Sequence, residues 1–370
     1  MPAITEHTEQ VSKSHLAPLY IQLKETIRSQ IESGILKPGQ SLPPTQELCK
    51  KYHISHITVR QALVDLTREG LLCRIPSRGT FVNDRKNVSS ETTLGLIIPD
   101  QADVQSSQFL SQLLLGIKSV ASAEQAGLLL YTSHETTFLG DIQRGKVQGM
   151  ILTNPQVEDI RIRLLKQEKA ALVVVGRVDE EGVCTVDNDN VWVGAQLTAH
   201  LLERGHRKIG LVNSPSHLTV SQDRFRGYEQ ALNEAGVGMD ESLVRHGDFS
   251  RESGYRNGKE LIRKGVEALV CADDLVGLGV FEAAREEGRS IPGQLAVCGC
   301  NNSAFSLIFQ PPMTTVDINA REIGAQAARK LLARIRGCSV EPRTLIEGKL
   351  LSRLSTTGST KKTFSPFDCP

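Results

Sequence analysis

No uncharged apolar run in this sequence approaches the length that spans a bilayer, which excludes a helical membrane protein. The first ten residues, Met1 to Gln10, are polar and carry Glu6 and Glu9 without an apolar core, so no standard export signal is expected. Paired CxxC units are missing too. The eight cysteines stand apart at Cys49, Cys73, Cys184, Cys271, Cys298, Cys300, Cys338 and Cys369, with no His at metal-ligand spacing beside them. Reduced thiols in a cytoplasmic protein are the expectation, with no metal. GxSxG, HExxH, GxxxxGK[ST] and the Gly-rich dinucleotide fingerprint are all absent, so no catalytic residue and no cofactor are expected. His200, His206, Asp273 and Asp274 are groups that could do acid-base work. Gly205-His206-Arg207, however, sits at a helix end, where cations suit the dipole.

Excess charge is also lacking: the formal net charge is +1. Its distribution is uneven. Between Pro18 and Val82 nine Lys/Arg face five Asp/Glu, an excess of four, which leaves the rest of the chain at −3. A small basic module on a mildly acidic body suits a phosphate-binding head. The 370 residues, 39% of them hydrophobic, exceed what one core usually supports, so several domains are expected.

Leu19, Leu23, Ile27, Ile31 and Ile35 recur at helical spacing before Gly34 and Pro38-Gly39 end that helix. A short second helix is predicted over Thr45 to Tyr52. A third starts after Ser55 as N-cap, places Val59, Ala62, Leu63 and Leu66 on one apolar face, and stops at Gly70. The tight turn at His53-Ile54 makes the last two a helix-turn-helix. Leu71 to Ile75 and Thr80 to Val82 then read as strands about the turn Pro76-Ser77-Arg78-Gly79, a wing.

Opposite the apolar stripe of the third helix lie Ile57, Arg60 and Gln61, with His56 at the edge. Arg pairs bidentately with guanine, Gln with adenine, and Ile touches a thymine methyl, so this set fits a major groove. Thr45 and Gln46 at the start of the second helix, with Ser55 and Thr58, are placed to bond phosphates. Arg74, Arg78 and Gly79 on the hairpin suit the minor groove or the backbone. Each residue alone also fits an ordinary solvated helix face; the combination is what points to DNA.

Asn83 to Thr93 is polar and without periodicity, and reads as a linker. Beyond it, short apolar strands (Leu94–Ile98, Leu128–Tyr131, Met150–Leu152, Leu172–Val175, Ile209–Val212, Ala268–Cys271, Leu295–Cys298) alternate with helical stretches, as in βαβ units with mostly parallel sheets. About 260 such residues exceed one comfortable sheet, so two lobes are expected. The expected domains are therefore 15–82, a linker 83–93, a body 94–357 and a flexible tail 358–370.

Open α/β sheets bind ligands beyond their strand ends. There the sequence places Asp100, Thr153-Asn154, Asp273-Asp274 and Asn301-Asn302, while Arg224 and Phe249 fall in stretches read as Gly/Ser-rich loops. Carboxylates, amides, an Arg and an aromatic platform suit the hydroxyls of a sugar. A lone Asp or Asn at such a place is more commonly a helix N-cap.

Two family resemblances rest on these segments. PLYIQLKETIRSQIESG, PGQSLPPTQEL, ISHITVRQALVDLTREGLL and RGTFV, in that order, resemble the GntR-type winged helix from Pro18 to Val82. The match departs at Pro44-Thr45-Gln46, where the family usually shows Ser-Glu-Arg, and at Ser77, where Gly is usual. From about Leu94 to Thr357, the segments LLERGHRKIGLVNSP, SQDRFRGYEQALNEAG, GDFSRESGYRNGKELI, ALVCADDLVGLGVFEAAREEGRSIP, VCGCNN and QPPMTTVDI resemble the LacI/GalR-type regulatory domain, a relative of periplasmic sugar-binding proteins. The resemblance implies two lobes joined by three crossovers, near Asp187, Val316 and Leu345, with effector bound between them. It also implies that Arg224, Phe249 and Asp273 match effector contacts, and that Asn301 replaces the usual Asp. Only fifteen residues separate Ser133 from Gly149, so a short helix is expected in the first lobe.

The combined architecture, a winged helix-turn-helix plus a two-lobed α/β periplasmic-binding-protein-like domain, is similar to the arabinose-responsive repressors. It implies a dimeric repressor with operator DNA and a sugar as partners. A periplasmic transport protein does not account for the head. A regulator of either sign that senses a nucleobase or amino acid also fits these cleft residues, which are polar without being unique to hydroxyls.

Overall fold

A computed structural model describes residues 18–69, 71–75, 79–82, 92–99, 107–132 and 136–357. Of the expected linker only Thr92 and Thr93 fall within this range, and the expected tail lies outside it. The chain divides into two units, one up to Thr92 together with Leu332–Val340, the other Thr93–Leu331 with the residues from Glu341.

In the head, α1 (Leu19–Glu32), α2 (Thr45–Tyr52) and α3 (His56–Arg68) precede β1 (Leu72–Ile75) and β2 (Gly79–Val82). Leu23 and Ile27 of α1 pack with Leu48 and Tyr52 of α2, Val59, Ala62 and Leu66 of α3, and Leu72 and Val82 of the hairpin, all buried. His53 closes α2 in the left-handed region (φ 55°) and donates to the Cys49 carbonyl. Two residues later the Ser55 hydroxyl accepts the Thr58 N–H at 3.2 Å and starts α3. β1 and β2 pair antiparallel, Leu72 with Val82 through Ile75 with Gly79. Gly39, Gln40 and Leu42 bond along the free edge of β2, with Gly39 N to Val82 O at 2.9 Å and Leu42 N to Thr80 O at 2.8 Å. This covered edge is absent from the sequence reading, because a stretch with Pro and Gly carries no strand pattern.

The body contains two six-stranded sheets. The first comprises β3 (Thr93–Ile98), β4 (Gly127–Thr132), β5 (Gly149–Thr153), β6 (Ala171–Val175), β7 (Cys184–Asp187) and β13 (Arg343–Leu345). Their order is β13-β7-β6-β5-β3-β4, and every pair is parallel. With α4 (Gln108–Ala123), α5 (Thr137–Gln143), α6 (Ile160–Gln167) and α12 (Ala320–Ile335) they form lobe 1. The helix between β4 and β5 has seven residues, as the short connection predicts. The second sheet comprises β8 (Ile209–Asn213), β9 (Val244–His246), β10 (Ala268–Cys271), β11 (Ala296–Cys300), β12 (Thr314–Asp317) and β14 (Lys349–Leu351), in the order β14-β12-β11-β10-β8-β9 with β14 alone antiparallel. Lobe 2 adds α7 (Asn190–Glu203), α8 (Thr219–Glu234), α9 (Arg251–Arg263), α10 (Asp274–Glu286) and α11 (Phe305–Ile308).

Central strands such as β5 and β10 are buried along their whole length, which is why they read as continuous apolar runs. Helices α7 and α8 approach at Gly194 and Gly227; a Cβ at Gly227 would lie 1.9 Å from the Val191 carbonyl oxygen. The chain crosses between lobes three times, from β7 to α7, from β12 to α12 and from β13 to β14. Buried Asn188 on the first crossover ties all three together, its amide donating to Ile318 O at 2.9 Å and Ile346 O at 2.8 Å.

Candidate functional site

On α3 the residues read as DNA-facing point away from the core. Ile57 is 81% exposed, an unusual state for a large aliphatic side chain, and Ser55, His56, Arg60 and Gln61 are exposed with it. Thr58 is half-buried, its hydroxyl 2.8 Å from that of Ser55. Gln61 donates to Asp65 at 3.0 Å, a bond within the helix that a base edge would have to replace. At the start of α2 the N-cap is Pro44, which supplies no side-chain bond, and exposed Gln46 and half-buried Thr45 follow it. The first N–H groups of this helix are thus without a side-chain cap, the state in which a helix terminus attracts phosphate. Arg74 is exposed on β1, and Gly79 opens β2 at φ 116°, a backbone angle that side chains disfavour. Arg78 lies outside the described residues.

In the body the predicted effector residues separate into two groups. Asp273, Asp274 and Asn301 line one small cavity of about 10 Å³ together with Gln108 of lobe 1 and Leu275, Ser303 and Phe305 of lobe 2. Arg224 joins them from behind. It does not sit in a loop, as expected, but on the second turn of α8, buried, with Nε donating to Asn190 Oδ1 at 3.1 Å and Nη1 to Ala272 O at 2.5 Å. The helix was hidden because the residues it buries in its first two turns, Thr219, Ser221, Asp223 and Arg224, are polar and turned to the site rather than to an apolar core. Asp273 is the N-cap of α10 and accepts Val276 N at 2.9 Å. Asp274 is occupied by Ser303 N at 2.6 Å and Thr315 Oγ1 at 2.7 Å. Thr153 is buried in lobe 1 and its hydroxyl donates to Ile97 O. Phe249 is half-buried between β9 and α9 and is not among the residues lining the cavity. Asp100 lies outside the described residues.

Three further groups belong to this region. Asp187, at the end of β7, accepts Asn188 N at 2.8 Å and Asn190 Nδ2 at 3.0 Å, so a chain of bonds runs from the first crossover through Asn190 to Arg224. Burial raises the carboxyl of Asp187 to about 7, of Asp273 to about 6 and of Asp274 to about 7. Gln108 comes from lobe 1 at the start of α4. The rule of polar residues beyond strand ends extends to Asp187 and Asn190, but β7, with the sequence Cys-Thr-Val-Asp, is too short to be seen as a strand.

Beside the cleft the lobes are latched. Arg177 of lobe 1 donates through Nε to both oxygens of Asp223 on α8, at 3.1 and 2.8 Å. Val157 N bonds His217 O, and Thr219 N bonds Pro155 O, each at 3.1 Å. A larger cavity of about 500 Å³ is lined by Gln156, Val157, Asp159, Ile162 and Val178 of lobe 1 and Thr219 of lobe 2. Glu158, Arg163, Asp179 and Glu180 line it too; three of its four carboxylates are paired, Asp159 with Arg161, Asp179 with Arg177 and Glu180 with Lys166. His200 is buried against Thr356, and burial with neighbouring Arg204 lowers it to about 4, which keeps the ring neutral.

A winged helix-turn-helix joined to two parallel-sheet lobes with a polar cleft defines a ligand-responsive DNA-binding regulator. Comparison with known proteins agrees. Residues 19–82 match the bacterial regulatory proteins of the gntR family, and residues 198–356 match the periplasmic binding protein-like domain. The HTH-type transcriptional regulator CelR of Thermobifida fusca is 33% identical over 78% of this chain and 89% of its own length. The arabinose metabolism transcriptional repressor of Geobacillus stearothermophilus is 26% identical over 89% and 94%. A solved structure of a transcriptional regulator CelR–cellobiose complex superposes with a TM-score of 0.68 at 30% identity, covering 82% of this chain and 91% of that one. The chain belongs to the HTH-type transcriptional regulators with a LacI-like, periplasmic-binding-protein-like body, here carrying a gntR-family head. It is a regulator and not an enzyme. No helix among the described residues is long and apolar enough to cross a membrane.

Proposed function

We propose that this protein is a cytoplasmic repressor that binds a palindromic or near-palindromic operator as a homodimer and is modulated by a small sugar held between its lobes. The observation that carries the reading is Arg224, a buried guanidinium held by Asn190 and the Ala272 carbonyl beside Asp273, at the ligand-binding end of the sheet. In this account Arg224, Asp273, Asn301 and Gln108 contact the sugar, while Asp274 holds the loop that carries Asn301. Ile57, Arg60 and Gln61 read bases from α3 with His56 at the edge. Thr45, Gln46, Ser55 and Thr58 bond phosphates, and the hairpin with Arg74, Arg78 and Gly79 rests on the backbone or minor groove. The cellobiose in the CelR structure and the arabinose named for the Geobacillus relative support a saccharide as effector. The cleft cavity of about 10 Å³ has room for roughly one water, so a sugar enters only as the lobes part.

The test is to select an operator from random duplexes and titrate it by fluorescence anisotropy with and without neutral mono- and disaccharides. One saccharide should shift operator affinity in the wild type and leave Arg224→Ala unaffected. Operator binding that responds to no saccharide would remove the sensor reading and leave the DNA-binding head.

A further inference from the structure

The saccharide reading does not say whether anionic sugars are also accepted, and the following inference rests on that reading. Asp273 and Asp274 line the cleft, and beside them Asn190 links a third carboxylate, Asp187, to one guanidinium, Arg224. Arg224 donates to neutral acceptors, Asn190 Oδ1 and Ala272 O. Its charge therefore reaches Asp187 and Asp273 only through space. Behind Asp274, Arg353 faces both Asp274 and Asp317, again one cation against two carboxylates. Arg177 and Asp223 at the rim pair with each other. At the rim the charges balance, with Arg177 and Arg226 against Asp223 and Asp179; around Arg224 and Arg353 carboxylates outnumber cations, and burial already raises the affinity of Asp187, Asp273 and Asp274 for protons. A site that resists its own negative charge resists more of it.

Three helix N-termini, the usual remedy for an anion, are occupied by the protein's own side chains, while α8 starts after Leu218 without a side-chain cap. Asp273 caps α10 through Val276 N at 2.9 Å, Asp189 caps α7 through Trp192 N at 2.9 Å, and Ser107 caps α4 through Leu110 N at 3.3 Å. We propose that the effector is an uncharged polyhydroxyl compound, and that the cleft rejects its phosphorylated and carboxylated counterparts by like-charge repulsion. One added negative charge about 6 Å from an unbalanced carboxylate, at an effective dielectric constant of about 20, weakens binding roughly 100-fold.

Matched ligand sets test this on the full chain by isothermal titration at pH 8, where the carboxylates are ionised. Suitable sets are glucose with glucose 6-phosphate and gluconate, cellobiose with cellobionate, and ribose and arabinose with their 5-phosphates. The expected result is binding by at least one neutral member, with its anionic counterpart about 100-fold weaker, and a narrower gap in Asp187→Asn. An anionic form that binds more tightly than its neutral parent, or within tenfold of it, overturns the inference and leaves the saccharide sensor intact. Silence from every member removes the saccharide reading and this inference with it.

Discussion

Replacing Asn188 with Asp changes one side-chain group and leaves the shape of the residue intact, yet it should loosen the whole body. The Asn188 amide is the donor that joins Ile318 O at 2.9 Å and Ile346 O at 2.8 Å, and each carbonyl belongs to a different crossover. A carboxylate there accepts rather than donates, so both bonds are lost and two carbonyls, one buried and one half-buried, face a negative oxygen. Each buried polar group left without a partner costs about 1–3 kcal/mol, which puts the total at about 2–6 kcal/mol. For a body of this size, 1 kcal/mol moves Tm by roughly 2–4 °C, so a fall of at least about 4 °C is expected. Differential scanning calorimetry at pH 7.5 reads it, with Asn188→Ala as the control that removes the bonds without adding charge. Asp should be worse than Ala. A Tm for Asn188→Asp equal to that of the wild type would refute the claim that this amide pins the crossovers.

Three shorter predictions accompany it. Arg60→Ala should weaken operator binding by about 1–3 kcal/mol, roughly 5- to 150-fold, and leave saccharide binding unchanged; equal losses in both titrations would count against a base contact. Asp223→Asn breaks the pair with Arg177 and should raise hydrogen exchange at the Val157 and Thr219 amides, which bond across the lobes, by about tenfold; unchanged exchange there would mean that the pair does not hold the lobes. Asp187, raised from 3.8 to about 7, binds a proton in the folded state over a range where the unfolded chain has lost it, so its burial penalty grows as pH rises and vanishes below the unfolded value. Between about pH 5 and 7 the wild-type Tm should therefore fall more steeply than that of Asp187→Asn, and parallel curves would contradict the burial argument.

How much of this was legible in the sequence depends on what each element buries. Helix α2 follows its predicted bounds, Thr45–Tyr52, and α3 starts after Ser55, because local signals set both. Strands buried on both faces, such as β5 and β10, announce themselves as apolar runs. Strands β7 and β12, four residues each and ending in Asp, lack that signature, as do the polar edge strands β9 and β13. Arg224 reads as a loop residue in the sequence and stands on α8 for one physical reason: a helix that buries polar groups in its first turns loses its apolar periodicity there. A different cause hid Asn188 and Asn190: they bond to groups far off in sequence, across 130 residues or more in one case and 34 in the other. Partners at such separations are set by the tertiary fold.

The account's central claim is that the head and the cleft are coupled, and thermodynamic linkage gives that claim a strict form. If a saccharide changes operator affinity by some factor, the operator must change saccharide affinity by the same factor, commonly about 5- to 150-fold. The decisive measurement is the saccharide dissociation constant by isothermal titration on the free protein and on the operator-bound protein at one salt concentration. The prediction is two constants whose ratio equals that of the operator affinities measured with and without saccharide. Identical saccharide affinity in the two states would show that cleft and head act independently.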